Sequence, residues 1–169
     1  QRLRPELKFD LRIAPVEKAM FADAGDGRFD TFSFAEAALI AGNGLTKSQR
    51  QSYLQKINNL WRKMQREIPP ASSAHRRARE IFAYLHRHIF KKYVRNASNI
   101  CRIFDNGEFN CVSSMVLYNI FGKLAGLDLR GVEVPDHTFS ILYDEVKHWD
   151  IETTNPGGFD SGSSQQFIR

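Results

Sequence analysis

The sequence predicts an α+β fold, and two observations carry that prediction. Amphipathic helical patterns recur between residue 33 and about residue 125, and strand-like segments follow only after residue 128. Helices first and strands after is the order of an α+β domain, whereas α/β proteins alternate the two. The 169 residues are enough to bury a core, and the 42% hydrophobic and 25% charged fractions are ordinary for a globular chain. We divide the chain into an irregular segment over 1–32, one domain over 33–159 and a Gly/Ser/Gln-rich tail over 160–169.

Taken in order, Pro5, Pro15 and the cluster Asp23-Ala24-Gly25-Asp26-Gly27 punctuate the first segment. That cluster is no calcium loop, because a twelve-residue loop begun at Asp23 or Asp26 would end on Phe34 or Ala37, where a bidentate Glu is required. Ser33-Phe34-Ala35-Glu36 has the spacing of a capping box and opens a short helix stopped at Gly42 or Gly44. Thr46-Lys47-Ser48-Gln49 is a second box. The apolar positions from Tyr53 to Ile68 then recur every three or four residues, up to Pro69-Pro70. Ser72 or Ser73 caps a third helix with its stripe on Ala74, Ala78, Ile81, Phe82, Leu85 and Ile89. Residues 92–110 read as a long loop.

From Cys111 to about Ala125 apolar residues cover most of a helix circumference, which predicts a helix buried on several sides, with Gly126 just past its end. Leu129–Val134, His137–Tyr143 and Lys147–Ile151 read as strands, with Asp144-Glu145 as a hairpin turn.

The net charge is +5, with basic clusters at 62–66 and 76–95. These alternate with core positions on helices, and no aromatic platforms are interleaved, so they read as a solvated face and argue against a nucleic-acid partner. No stretch approaches the roughly 20 apolar residues of a membrane span. Two cysteines, Cys101 and Cys111, are too few for a disulfide scaffold or zinc spacing, so no metal and no cofactor is expected. Cys101 reads as a core or loop thiol, His75 as exposed. Compartment and oligomeric state stay open.

Chemistry concentrates in Asn110-Cys111, Asp136-His137 and Trp149-Asp150. With Asn110 as N-cap, Cys111 falls in the first helical turn, where unpaired N–H groups and the helix dipole favour a thiolate and could hold an oxyanion. Cys111 is thus the candidate nucleophile, His137 its base and Asp150 the group that orients the imidazole. Asn106 and Asn110 are candidate side-chain donors to an oxyanion, and His148 is a second candidate base. A hairpin loop at Tyr143-Asp144 would place His137 and Asp150 directly opposite each other; one at Asp144-Glu145 would make them diagonal neighbours. A four-residue loop would separate them.

These residues resemble the transglutaminase-like superfamily of papain-type thiol enzymes, in the manner of its small bacterial members. The resemblance spans roughly 80–159, through Phe109–Ser114, Gly131–Phe139 and Trp149–Asn155, and the helix at Ser33–Ile40 resembles the leading helix of such members. It implies a central helix bearing Cys111, packed on an antiparallel sheet that carries His137 and Asp150. It also implies a hydrolase acting on peptide or amide bonds through a thioester, or an acyl transferase acting on glutamine, with a peptide or protein substrate; some members have lost activity. The tryptophan usual near the nucleophile of animal transglutaminases is absent here, where Phe109 and Asn110 stand, and so are their accessory β domains. Hydrolysis is therefore expected ahead of cross-linking. A non-catalytic binding module on the same fold is the alternative of a different class.

Overall fold

In a computed structural model the chain is α+β, and the structure describes residues 13–42, 44–70, 73–144 and 147–160. The elements are α1 (Pro15–Asp23), α2 (Phe34–Ala41), α3 (Lys47–Glu67), α4 (Ala74–His88), β1 (Lys92–Tyr93), α5 (Cys101–Asn106), β2 (Glu108–Phe109), α6 (Cys111–Leu124), β3 (Asp128–Val134), β4 (His137–Tyr143) and β5 (His148–Ile151). Most of the expected tail, 161–169, lies outside the described residues.

The capping signals translate directly. Ser33 Oγ and Thr46 Oγ1 accept from the N–H groups of Glu36 and Gln49, and those side chains return a bond to the cap residue's own N–H. Ser73 caps α4 through Arg76 N–H. Gly126, at φ 71°, takes the left-handed position beyond α6.

Two stretches differ from expectation. The segment 15–23 is a helix because Pro15 sits at its first position, where its missing N–H costs nothing, and Glu17 Oε2 accepts from Ala14 N–H. Met20 of α1 packs with Ala37 and Ile40 of α2, a small apolar cluster beside the main core. The Asp23 carboxylate accepts from Asp30, Thr31 and Phe32 N–H, so it ties a turn. The stretch 92–110 also has structure: β1 and β2 pair in parallel, and α5 lies between them.

α6 is the centre of the main core. Leu117, Tyr118 and Phe121 are fully buried. Tyr118 donates to Ala78 O of α4 at 3.1 Å, while Trp61 of α3 stacks on Phe121. Its other side lies on the antiparallel sheet, ordered β3-β4-β5. Gly122 faces Leu129, Gly131 faces Met115, and Asn119 Oδ1 accepts from Ser140 Oγ at 2.8 Å. A side chain on Gly131 would meet the Met115 sulfur at 2.6 Å, so this glycine permits the close helix–sheet approach.

Candidate functional site

Asn110 holds the start of α6 from both sides. Its Oδ1 accepts from Ser113 N–H, and Ser113 Oγ accepts from Asn110 N–H. Its amide group donates to Arg95 O at 2.9 Å and Ser98 Oγ at 2.8 Å. Both donors are thereby committed, which removes Asn110 as a side-chain oxyanion donor. Asn106 is exposed at the end of α5, separated from Cys111 by Gly107 and the whole of β2. The donors that remain at this point are the backbone N–H groups of Cys111 and Val112, which precede the first helical acceptors. Cys111 is half-buried and its thiol is free.

Helix and sheet run past each other so that Cys111 and His137 share one end. Gly122 lies over Leu129, and Met115 and Asn119 lie over Gly131, so moving toward Cys111 along α6 moves toward Val134 along β3. From the Asn119–Ser140 tie, Cys111 is ~12 Å further along the helix at about 1.5 Å per residue. His137, the partner of Val134, is ~10 Å further along β4 at about 3.3 Å per residue. A second tie fixes this end: Ser114 Oγ, one turn after Cys111, and Thr153 Oγ1 are 2.8 Å apart, both fully buried.

Alternation along β4 gives the rim two sides. Thr138, Ser140 and Leu142 face α6; His137, Phe139 and Ile141 face away, together with Asp150 and Glu152. His137 thus lies on the face of the sheet turned from α6, while Cys111 opens the helix on the other face, and the two share an end of the sheet beyond Ile151, where β5 has stopped pairing.

The expected His137–Asp150 opposition does not form. β4 pairs with β5 through Tyr143↔His148 and Ile141↔Asp150, which leaves a four-residue connection, 144–147. It is closed by Asp144 N–H to Lys147 O and by Lys147 N–H to Asp144 Oδ1; Glu145 of the expected turn lies outside the described residues. Asp150, buried, thus sits across from Ile141, ~13 Å along the strand from His137. The same shift carries Glu152 into reach. His137 Nε2 and Glu152 Oε2 form a short contact, with both side chains about four fifths buried. Glu152 Oε1 in turn accepts from Thr154 N–H and Oγ1. With Nε2 on the carboxylate, Nδ1 is the ring nitrogen a thiol would address.

The chain around Glu152 is built to hold it. Glu152 N–H donates to Gly158 O at 2.8 Å, and Ile151 bridges Phe159, so 152–158 closes on itself. A Cβ on Gly158 would lie 2.2 Å from Glu152 O. The imidazole of His86 on α4 packs against Phe82, Phe90 and Phe109, and burial lowers its pKa.

Glu152 is the residue the sequence reading missed. It has the same strand parity as Asp150, and only the loop length decides between them. His148 is exposed and stacks on Tyr143 at the other end of β5 from His137. His75 is half-buried against Trp149 and Phe159 instead of exposed. Cys101 is buried, and burial raises its thiol to about 11.

Among the described residues no group of three or more His, Cys, Asp or Glu could hold a metal ion, and no helix is long and apolar enough to cross a membrane. Comparison of the chain with protein-family models, with curated proteins and with solved structures finds no match in any of the three.

Proposed function

We propose that the chain is a cysteine hydrolase of transglutaminase-like, papain-type architecture, acting on a peptide or amide bond. Cys111 is its nucleophile, His137 its acid and base, and Glu152 holds the imidazole in the role first expected of Asp150. The observation that carries this reading is the His137–Glu152 pair at the sheet end level with the capped start of α6.

The thiolate attacks the substrate carbonyl carbon, and the carbonyl π electrons move onto oxygen, where the N–H groups of Cys111 and Val112 meet them. The tetrahedral intermediate collapses with cleavage of the C–N bond. The imidazolium protonates the leaving amine, and a thioester remains on Cys111. Water then attacks that thioester and gives its proton to His137. A second collapse expels the thiolate and releases the carboxylic acid. If an amine takes the place of water the same intermediate yields a new amide, so hydrolysis and acyl transfer differ only in the acceptor.

A panel of fluorogenic peptides and glutamine donors, read with and without a primary amine, tests the reading. Turnover that disappears in Cys111→Ala supports it; no turnover on any substrate, with a thiol at Cys111 no more reactive than Cys101, sinks it. The glutamine donors with added amine separate a transferase from a hydrolase.

A further inference from the structure

An apolar cavity of about 620 Å³ lies against the side of α6 that follows the nucleophile. Met20 of α1, Phe34, Ala38 and Ala41 of α2, and Val112 and Val116 of α6 form its walls. Its size is that of a small-ligand site, and its lining is mostly hydrocarbon. We propose that this cavity is the specificity pocket of the thiol site and receives a bulky apolar group on the acyl side of the bond attacked, an inference that rests on Cys111 being the nucleophile.

Three features point to an acyl group and not to a detached ligand. Val112, the residue after Cys111, lines the pocket together with Val116, and the two, one turn apart, present one continuous face. Its polar edge is shared with the nucleophile's support, since Ser98 lines the cavity and also accepts from Asn110, the cap before Cys111. Its far wall is fastened to that same edge. Asn99 Nδ2 donates to Gly42 O at 2.8 Å, and a Cβ on Gly42 would lie 2.9 Å from Asn99 Nδ2. The cap formed by α1 and α2 is thus clamped to the loop that positions the thiol. The small residues Ala38 and Ala41 leave the room; a larger side chain there would fill it.

The test uses a pair of thiol reagents, methyl and hexyl methanethiosulfonate, on the whole chain. The Cys111 thiolate attacks the sulfenyl sulfur, a mixed disulfide forms and methanesulfinate leaves, so labelling needs no catalytic turnover. Each fully buried methylene is worth roughly fourfold, and the hexyl reagent carries five more than the methyl. We expect hexyl to label Cys111, read by peptide mass spectrometry, at least about tenfold faster than methyl. Ala41→Phe and Ala38→Phe should bring that ratio near one while the methyl rate changes less than about twofold. Ala41 is exposed at the end of α2, so its variant decides the matter should Ala38→Phe fail to fold. Equal rates in the parent chain, or a ratio that neither variant lowers, overturn the pocket. Loss of peptide turnover with the ratio intact counts against the hydrolase reading alone.

Discussion

Glu152 and Asp150 are separated by one residue, share a face of the sheet and carry the same charge, yet only one touches His137. Two similar substitutions should therefore have opposite outcomes. Glu152→Gln keeps the shape of the side chain but removes the charge that stabilises imidazolium, and it should lower kcat by about 10²–10⁴-fold. Asp150→Asn should leave kcat within about tenfold, because its place opposite Ile141 keeps it from the ring. Steady-state kinetics on the best substrate of the panel distinguish them; the reverse order would restore Asp150 to the role. The residue types of this site were legible in the sequence: a capped thiol, an imidazole opening a strand and an acidic residue on the next. Which acidic residue was not, since Asp150 and Glu152 have equal parity and the length of a hairpin loop is a tertiary outcome.

At the scale of elements, the 152–158 loop and the α6 cap do the positioning. Gly158→Ala would drive a methyl against Glu152 O, and backbone cannot give way as a flexible side chain can. We expect a loss of about 1–3 kcal/mol in urea unfolding, with kcat reduced further than the fraction folded accounts for. Asn110→Ala removes the cap of α6 and unties Arg95 O and Ser98, which should cost about 1–2 kcal/mol in the same assay. Elements with strong local signals were readable in advance. The boxes at Ser33 and Thr46, the cap at Asn110 and the apolar circumference of α6 each settle their own conformation. α1, β1, α5 and β2 were not, for a shared reason. They are short, and they depend on partners far along the chain, as β1 does on β2. Pro15 punctuates the chain in the sequence alone, yet it is the first residue of a helix.

For the whole molecule, the helices serve as a frame that brings α4 and α6 against the loop after β5. His86 is the pH-sensitive part of that frame. Burial holds its pKa below the ordinary 6.5, so the unfolded chain binds the proton first. Stability should be level above about pH 6.5 and fall as the pH drops through that value toward the lowered one. Thermal melts between pH 7.5 and 5 check this. The fall should be smaller in His86→Phe, which keeps the ring contacts with Phe82, Phe90 and Phe109 but cannot charge; an identical slope in both chains would assign the pH sensitivity elsewhere.

In the proposed mechanism a cap on one element, an imidazole on another and a carboxylate on a closed loop act on one sulfur. The most direct measurement is the iodoacetamide labelling rate of each cysteine between pH 5 and 9, in the parent chain and in His137→Gln. Cys111 should be labelled near neutral pH much faster than Cys101, whose thiol burial holds near 11, with a drop of at least about tenfold at Cys111 when the imidazole is removed. Equal slow labelling of both thiols, unchanged by His137→Gln, would contradict it.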